Sequence, residues 1–437
     1  MLALRVRLRV FNNLWLLLLA LTSFILGLVL VYFTGMNQNN FGDAPDYLSA
    51  ALTISNQEPY LREDLAWPFF RAPGYPFVVS TIWTLTGIQE VWILKVFNVL
   101  CHSISTLFVF KLASLALSQK RSFVVALIYA INPFALLQLA GVQTEPLITA
   151  LFLAFTYLLC QNVSKLNIVL LSVISVFAIA TRPEYLFMIL PTIILSFFLR
   201  SFPRDSRHRA VVVFAAIFIS LAWWGIQNEK ATDAFLPLTD ATNFQLWQGS
   251  TSVIQQNYPW HTSTYPEFND DQMEKLVTEV KNQEMRWGER YSSASIAQKS
   301  EFWKSAYLEN VKENPLRYIE YTLLKAVVFW RPFLNPASYG AVVSIGSSII
   351  LAPLSLFMVL GLIRYRKQEN VQTLIFTFGV GFIFLTLIHA VQVADLRYKI
   401  PLFIPFATLM AGKIVADYSP KLQGLRTKFT LRRTVHE

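Results

Sequence analysis

Residues 14–34 read LWLLLLALTSFILGLVLVYFT, a run without a single charge. A helix rises about 1.5 Å per residue, so a run of this length crosses the roughly 30 Å hydrocarbon layer of a bilayer. Arg5, Arg7 and Arg9 precede it and no small-x-small cleavage site follows. The run is therefore expected to stay as an anchor with its N-terminus inside. Of the 437 residues, 54% are hydrophobic and only 15% charged, and the remaining apolar runs are broken at similar intervals by polar stretches. This is the composition of an all-α, polytopic helical membrane protein.

The net charge of +10 does not mark a nucleic-acid binder, because Lys and Arg gather at the ends of apolar runs and not along a soluble face. There they set orientation. Cys101 and Cys160 both lie inside apolar runs, where a thiol acts as a small hydrophobe, and no disulfide framework or Cys/His metal site is visible.

Past the anchor, an acidic first outer loop (35–72) leads to residues 75–87, too short to cross and expected at the interface. Runs 91–117, 123–140, 147–160, 166–180, 186–199 and 211–226 then alternate in direction, with inner turns at Lys120 and Arg121, at Lys165, and at Arg200, Arg204, Arg207 and Arg209. Residues 228–315 are polar and carry soluble-type helix signals, which suggests one outer soluble domain. Asn314 and Pro315 make an N-cap and N1 pair for a helix to Trp330. Arg317, Glu320 and Lys325 interrupt its apolar face, so it too is expected at the interface.

Runs 342–363, 371–389 and 400–416 complete about ten spans with both termini inside. The chain thus divides into an N-terminal transmembrane module (1–227), the outer domain (228–315) and a C-terminal part (316–437) holding an interfacial helix, the last spans and a basic tail.

Short outer connections hold almost no Lys or Arg apart from Arg182 and Arg397. The acids on that side are Asp43 and Asp46 in Gly42-Asp43-Ala44-Pro45-Asp46-Tyr47, and Glu145 between Thr144 and Pro146. Each has a plain explanation, as a solvated loop carboxylate or as a charge favoured by a helix N-terminus. The alternative is a shared site, in which the acids meet Arg71, Arg182, Arg331 and Arg397, four guanidinium groups suited to gripping a phosphate.

Several of these segments resemble one family, the membrane-embedded glycosyltransferases of the GT-C type, and in particular the protein-mannosyltransferase and lipid A aminoarabinose-transferase relatives. Gly42-Asp43-x-x-Asp46-Tyr47 is similar to their acidic first outer loop, and Arg71-Ala72-Pro73-Gly74-Tyr75-Pro76 to the start of their juxtamembrane helix. Thr144-Glu145-Pro146-Leu147, following a span that contains Asn132-Pro133, resembles their second acidic position. Phe244 to Gly249 (FQLWQG), Phe329-Trp330-Arg331-Pro332 and Arg397-Tyr398-Lys399-Ile400-Pro401 extend the likeness along the chain. It departs at Asp43-Ala44, where several relatives carry an Asp-Glu pair.

The resemblance implies a sugar donor carried on a polyprenyl phosphate, a glycan, lipid or protein acceptor, and reaction on the outer face of the cytoplasmic membrane. Transfer needs a base for the acceptor proton, for which Asp43 is the candidate. It also needs cations for the leaving phosphate, for which Arg397 comes first, then Arg182 and Arg71, with Tyr398 beside them. Asp46 and Glu145 are the further acids. Tyr47 and Trp247, with Tyr258, Trp260 and Tyr265, offer aromatic surfaces to an acceptor. A divalent cation is compatible with these acids but not required, and no metal ligand is assigned. A transporter or flippase, a polymerase or ligase of lipid-linked glycans, and a non-catalytic scaffold are the competing readings.

Overall fold

The computed structural model describes residues 2–38, 43–58, 60, 71–198, 206–232, 234–239, 241–251, 270–334, 336–392 and 396–433, and every regular element among them is helical. The first half comprises α1 (Leu2–Phe33), α2 (Ala44–Ser55), α3 (Gly74–Thr86), α4 (Val91–Ala113), α5 (Gln119–Ala130), α6 (Pro133–Leu137), α7 (Glu145–Cys160), α8 (Lys165–Thr181), α9 (Leu186–Phe198) and α10 (Ser206–Thr232). The second comprises α11 (Ala241–Ser250), α12 (Asp270–Trp287), α13 (Glu289–Ser292), α14 (Ile296–Glu313), α15 (Pro315–Phe329), α16 (Pro336–Tyr365), α17 (Glu369–Val391) and α18 (Leu396–Arg433).

Among the described residues, six segments are long and apolar enough to cross a membrane: Leu14–Phe33, Val91–Ala113, Ser206–Lys230, Tyr339–Tyr365, Val371–Val391 and Leu396–Ser419. Glu145–Cys160, Lys165–Thr181 and Pro183–Phe198 are shorter apolar helices. The chain is thus a multi-pass membrane protein. The run 123–140 is not one helix but two, α5 and α6, because Asn132 starts a new one at Pro133. Its side chain accepts from the amides of Phe134 at 3.0 Å and Ala135 at 3.3 Å, satisfying donors that the break would orphan.

Helix α4 packs between α1, α5 and α7, and α18 lies against α5, α7 and α16. Where α7, α17 and α18 meet, Phe152 sits edge-on to Phe378 at 5.4 Å, and Phe378 stacks on Phe406 at 4.8 Å. Away from this core, Leu14, Leu17, Leu18, Leu21 and Ile25 form an exposed apolar stripe on α1. Their three-to-four residue spacing puts them on one face, as a lipid-facing surface requires.

Helices α11 to α14 share an aromatic cluster in which Trp303 packs 4.5 Å from Trp247 and donates its indole N–H to the Tyr291 hydroxyl at 3.0 Å. Helix α15 starts as expected, with the Asn314 side chain accepting from the amide of Arg317 at 3.3 Å. Its exposed Leu316, Ile319, Leu323 and Val327 again fall on one face. Lys325, expected to break that apolar face, is instead turned inward and buried.

Three close contacts join these parts. A Cβ on Gly74 would lie 2.6 Å from the backbone of Ala180 and Thr181, so only glycine lets the start of α3 touch the end of α8. At Gly249 a Cβ would lie 2.5 Å from the carbonyl oxygen of Gln392, which ties α11 to the end of α17. Lys325 fastens the second junction, donating to the carbonyls of Gly249 and Gln392 at 2.9 Å each.

Candidate active site

Asp43 is the N-cap residue of α2, with Pro45 in the first turn, yet its side chain makes no capping hydrogen bond. It turns instead to two arginines. Arg71 donates to one carboxylate oxygen at 3.0 Å and Arg397 to the other at 2.5 Å. Arg71 also grips Asp46 at 2.8 and 3.1 Å, and its backbone carbonyl accepts from the Tyr60 hydroxyl at 2.7 Å.

Glu145 is the first residue of α7 and is buried, in a segment steadied by Asn98, which donates to the Gly141 carbonyl at 2.8 Å. Its partner is Arg182, at 3.0 Å. Arg182 lies just past α8 in extended backbone, as a residue before proline prefers. The turn after it brings Glu184 back to its guanidinium at 2.6 Å. Arg397 approaches the same Glu145 oxygen at 3.8 Å.

The result is one chain of contacts alternating in sign: Asp46, Arg71, Asp43, Arg397, Glu145, Arg182, Glu184. Arg397 joins its two halves. A cation in the first turn of α18 opposes the helix dipole, so its position needs these acids to offset it. Lys399 anchors the same turn by donating to the carbonyls of Phe329 and Arg331 at 2.8 Å each. Tyr398 stacks on His389 at 4.6 Å, and the guanidinium carbons of Arg182 and Arg397 lie 4.7 and 5.0 Å from its ring centre, within cation–π range.

A cavity of about 340 Å³ opens here, lined by Asp43, Tyr47, Arg71, Glu145, Arg182 and Tyr398, with Thr242, Gln245 and Gln248 of α11 forming a facing wall. The side chains of Asp43 and Arg71 are 27% and 22% exposed, that of Glu145 only 3%. Asp43 is therefore the more exposed of the two acids, while Glu145 contacts Arg182 and Arg397 from a buried position. Burial pushes the Asp43 carboxyl up, but Arg397 and Arg71 outweigh it and keep it well below the usual carboxylate range. For Asp46 burial prevails over Arg71 and raises the carboxyl above its ordinary value.

Each of the four carboxylates already has a guanidinium partner within 3.0 Å. Among the described residues no three His, Cys, Asp or Glu side chains are grouped around one point, and these acids are engaged by arginines.

Three of the four expected arginines meet in the site, and all three expected acids do. Arg331 is buried, and its carbonyl accepts from Lys399. Trp247 lies fully buried in the aromatic cluster and does not face the cavity. Its helix turns Gln245 and Gln248 there instead. Gly42, Tyr258, Trp260 and Tyr265 lie outside the described residues. Glu184, His389, Lys325 and Lys399 were not foreseen. Glu184 alone had a local signal, its place two residues after Arg182 across a proline.

No known family profile matches the chain, and no curated protein does. Solved structures do. The archaeal oligosaccharyltransferase AglB of Archaeoglobus fulgidus, in complex with an inhibitory peptide and a dolichol-phosphate, aligns at 12% identity with a TM-score of 0.51, covering 96% of this chain and 52% of that one. The apo form of the oligosaccharyltransferase of the same organism aligns at 12% identity with a TM-score of 0.52, over the same shares of both chains. The chain thus spans about half the length of these enzymes and shares their GT-C type membrane fold.

Proposed function

We propose that this protein is an integral-membrane glycosyltransferase that moves a sugar from a polyprenyl-phosphate donor to a hydroxyl or amine acceptor on the outer face of the cytoplasmic membrane. Its chemistry in this reading is that of the protein-mannosyltransferase and lipid A aminoarabinose-transferase relatives that its motifs resemble. In this reading both termini are cytoplasmic and residues 228–315 form the outer domain that covers the site. The observation that carries it is the partly exposed Asp43 carboxylate, held by Arg71 and Arg397, with Arg182 paired to Glu145 beside them.

In the reaction, the bond between the sugar's anomeric carbon and the phosphate oxygen breaks, and a bond from that carbon to the acceptor oxygen or nitrogen forms. The acceptor's proton passes to Asp43. The phosphate leaves with the electron pair of the broken bond and gains negative charge, which Arg71, Arg182 and Arg397 stabilise because they are already fixed in place. Tyr47 and the α11 wall face the acceptor. Glu145, Glu184 and Asp46 orient the guanidinium groups.

A second cavity fits the donor's tail. It is apolar, about 600 Å³, lies between α3, α8 and α10, and is lined by Pro73, Gly74, Phe77, Ala180 and Trp224 among others. Pro73 is two residues from Arg71 and Ala180 two from Arg182, so a lipid seated there would carry its phosphate to those arginines. The dolichol-phosphate and peptide in the AglB complex belong to that protein. They support a lipid phosphate here and make a peptide one candidate acceptor.

Lipid extracts from cells lacking the protein test the reading. An unused polyprenyl-phosphate sugar should accumulate, and an unchanged lipid pool would refute the donor class.

A further inference from the structure

The alternating chain of contacts contains four carboxylates and three guanidinium groups, so it carries one formal negative charge in excess. A sugar phosphodiester brings another. An anion entering such a cluster is repelled unless guanidinium groups already spent on carboxylates turn toward it. The least buried pair is Asp43 with Arg71, and Asp43 is also the acid that Arg397 holds.

Resting on the donor reading above, we infer that Asp43 and the donor phosphate compete for Arg71 and Arg397, so that Asp43 gives up its ion pairs only when phosphate occupies the cavity. The base is masked in the empty enzyme and released by the donor. Two consequences follow. Water near an empty site meets a carboxylate already saturated by arginines. Once the phosphate has taken a guanidinium, Asp43 regains the capacity to accept a proton from the acceptor. Asp46 keeps Arg71, and Glu145 keeps Arg397, from leaving the site during the exchange.

The competition makes an unusual demand on binding, measured with farnesyl monophosphate on the purified full chain in detergent. Asp43→Asn, nearly isosteric and uncharged, should tighten this probe by about tenfold, the scale of one charge-assisted hydrogen bond, while abolishing sugar transfer. With Arg71 and Arg397 both changed to Gln, the same substitution should give no gain. Calorimetry in buffers of different ionisation enthalpy adds a second readout: wild type should take up more protons on binding, or release fewer, than Asp43→Asn. Unchanged or weaker binding by Asp43→Asn, with wild type binding normally, would overturn the exchange and leave the donor reading standing. Failure of every form to bind the probe would overturn the donor reading and the exchange with it.

Discussion

Arg397 lies 354 residues beyond Asp43 in the chain, yet it donates to that carboxylate at 2.5 Å and stands 3.8 Å from Glu145. One guanidinium thus joins the start of α2, the start of α7 and the start of α18. Arg397→Lys keeps the charge but loses the planar fork that reaches two acids at once. Transfer should fall by roughly 10²-fold or more, the scale for one lost preorganised donor. Arg397→Gln should fall further. Steady-state assays with a polyprenyl-phosphate sugar check the order, and equal activity of the Lys variant and wild type would refute the bridging role.

The two first-loop acids should respond oppositely to pH and to mutation. Asp43 has a folded pKa below its unfolded value of 3.8, so its ionised form adds stability that is full above that value and is lost progressively as pH falls from there to the lower folded value. Asp46 has a raised folded pKa, so ionising it costs stability, and the cost is relieved as pH falls through that raised value. Near pH 7, Asp43→Asn should therefore lower stability by roughly 1–3 kcal/mol. Asp46→Asn should leave it unchanged or raised, with any gain shrinking on acidification. Thermal unfolding in detergent at neutral and mildly acid pH measures both.

Gly74 should not tolerate a methyl group. The added Cβ would lie 2.6 Å from the backbone between Ala180 and Thr181, which has no flexible end to yield. Gly74→Ala is expected to cost about 1–3 kcal/mol and to part Arg71 from Arg182, lowering transfer. Wild-type stability and rate in this variant would show that the junction does not position the site.

Lys325 should act on the cavity without lining it. Burial pulls its ammonium down to about 7, while its contacts to the carbonyls of Gly249 and Gln392 hold α11 against α17. Lys325→Met leaves those carbonyls unpaired, at about 1–3 kcal/mol. Amide exchange should quicken in α11 and the KM for the acceptor should rise more than kcat falls. Exchange confined to other helices would contradict this.

Chelation should leave transfer intact, because each of the site's carboxylates is already engaged by an arginine. A purified enzyme that loses activity in EDTA and regains it with one divalent cation would contradict that.

The membrane class, three of the four acids of the site and its three arginines were legible in the sequence because bilayer crossing and charge sidedness are local properties. Asp43, Glu145, Arg182 and Arg397 all fall where apolar runs end on the same side. Which groups touch was not legible. The fork from Arg397 to Asp43 and Glu145 depends on how three distant segments dock, and nothing in their own residues specifies it. Lys325 was misread for a related reason. A cation on an apolar helix looks like a solvated break, and only the three-dimensional approach of two carbonyls shows why it turns inward. Trp247 illustrates the reverse error, since an aromatic suited to a ligand is equally suited to the core that Trp303 provides. The split of 123–140 was signalled by Asn132-Pro133, a cap pair within an apolar run.

The most direct test puts Asp43→Asn in place of the wild-type protein in cells and compares extracted lipids with those of cells lacking the protein. The account predicts that the variant reaches the membrane at normal levels and accumulates the same polyprenyl-phosphate sugar as the deletion. A variant with normal abundance and a wild-type lipid pool would contradict it.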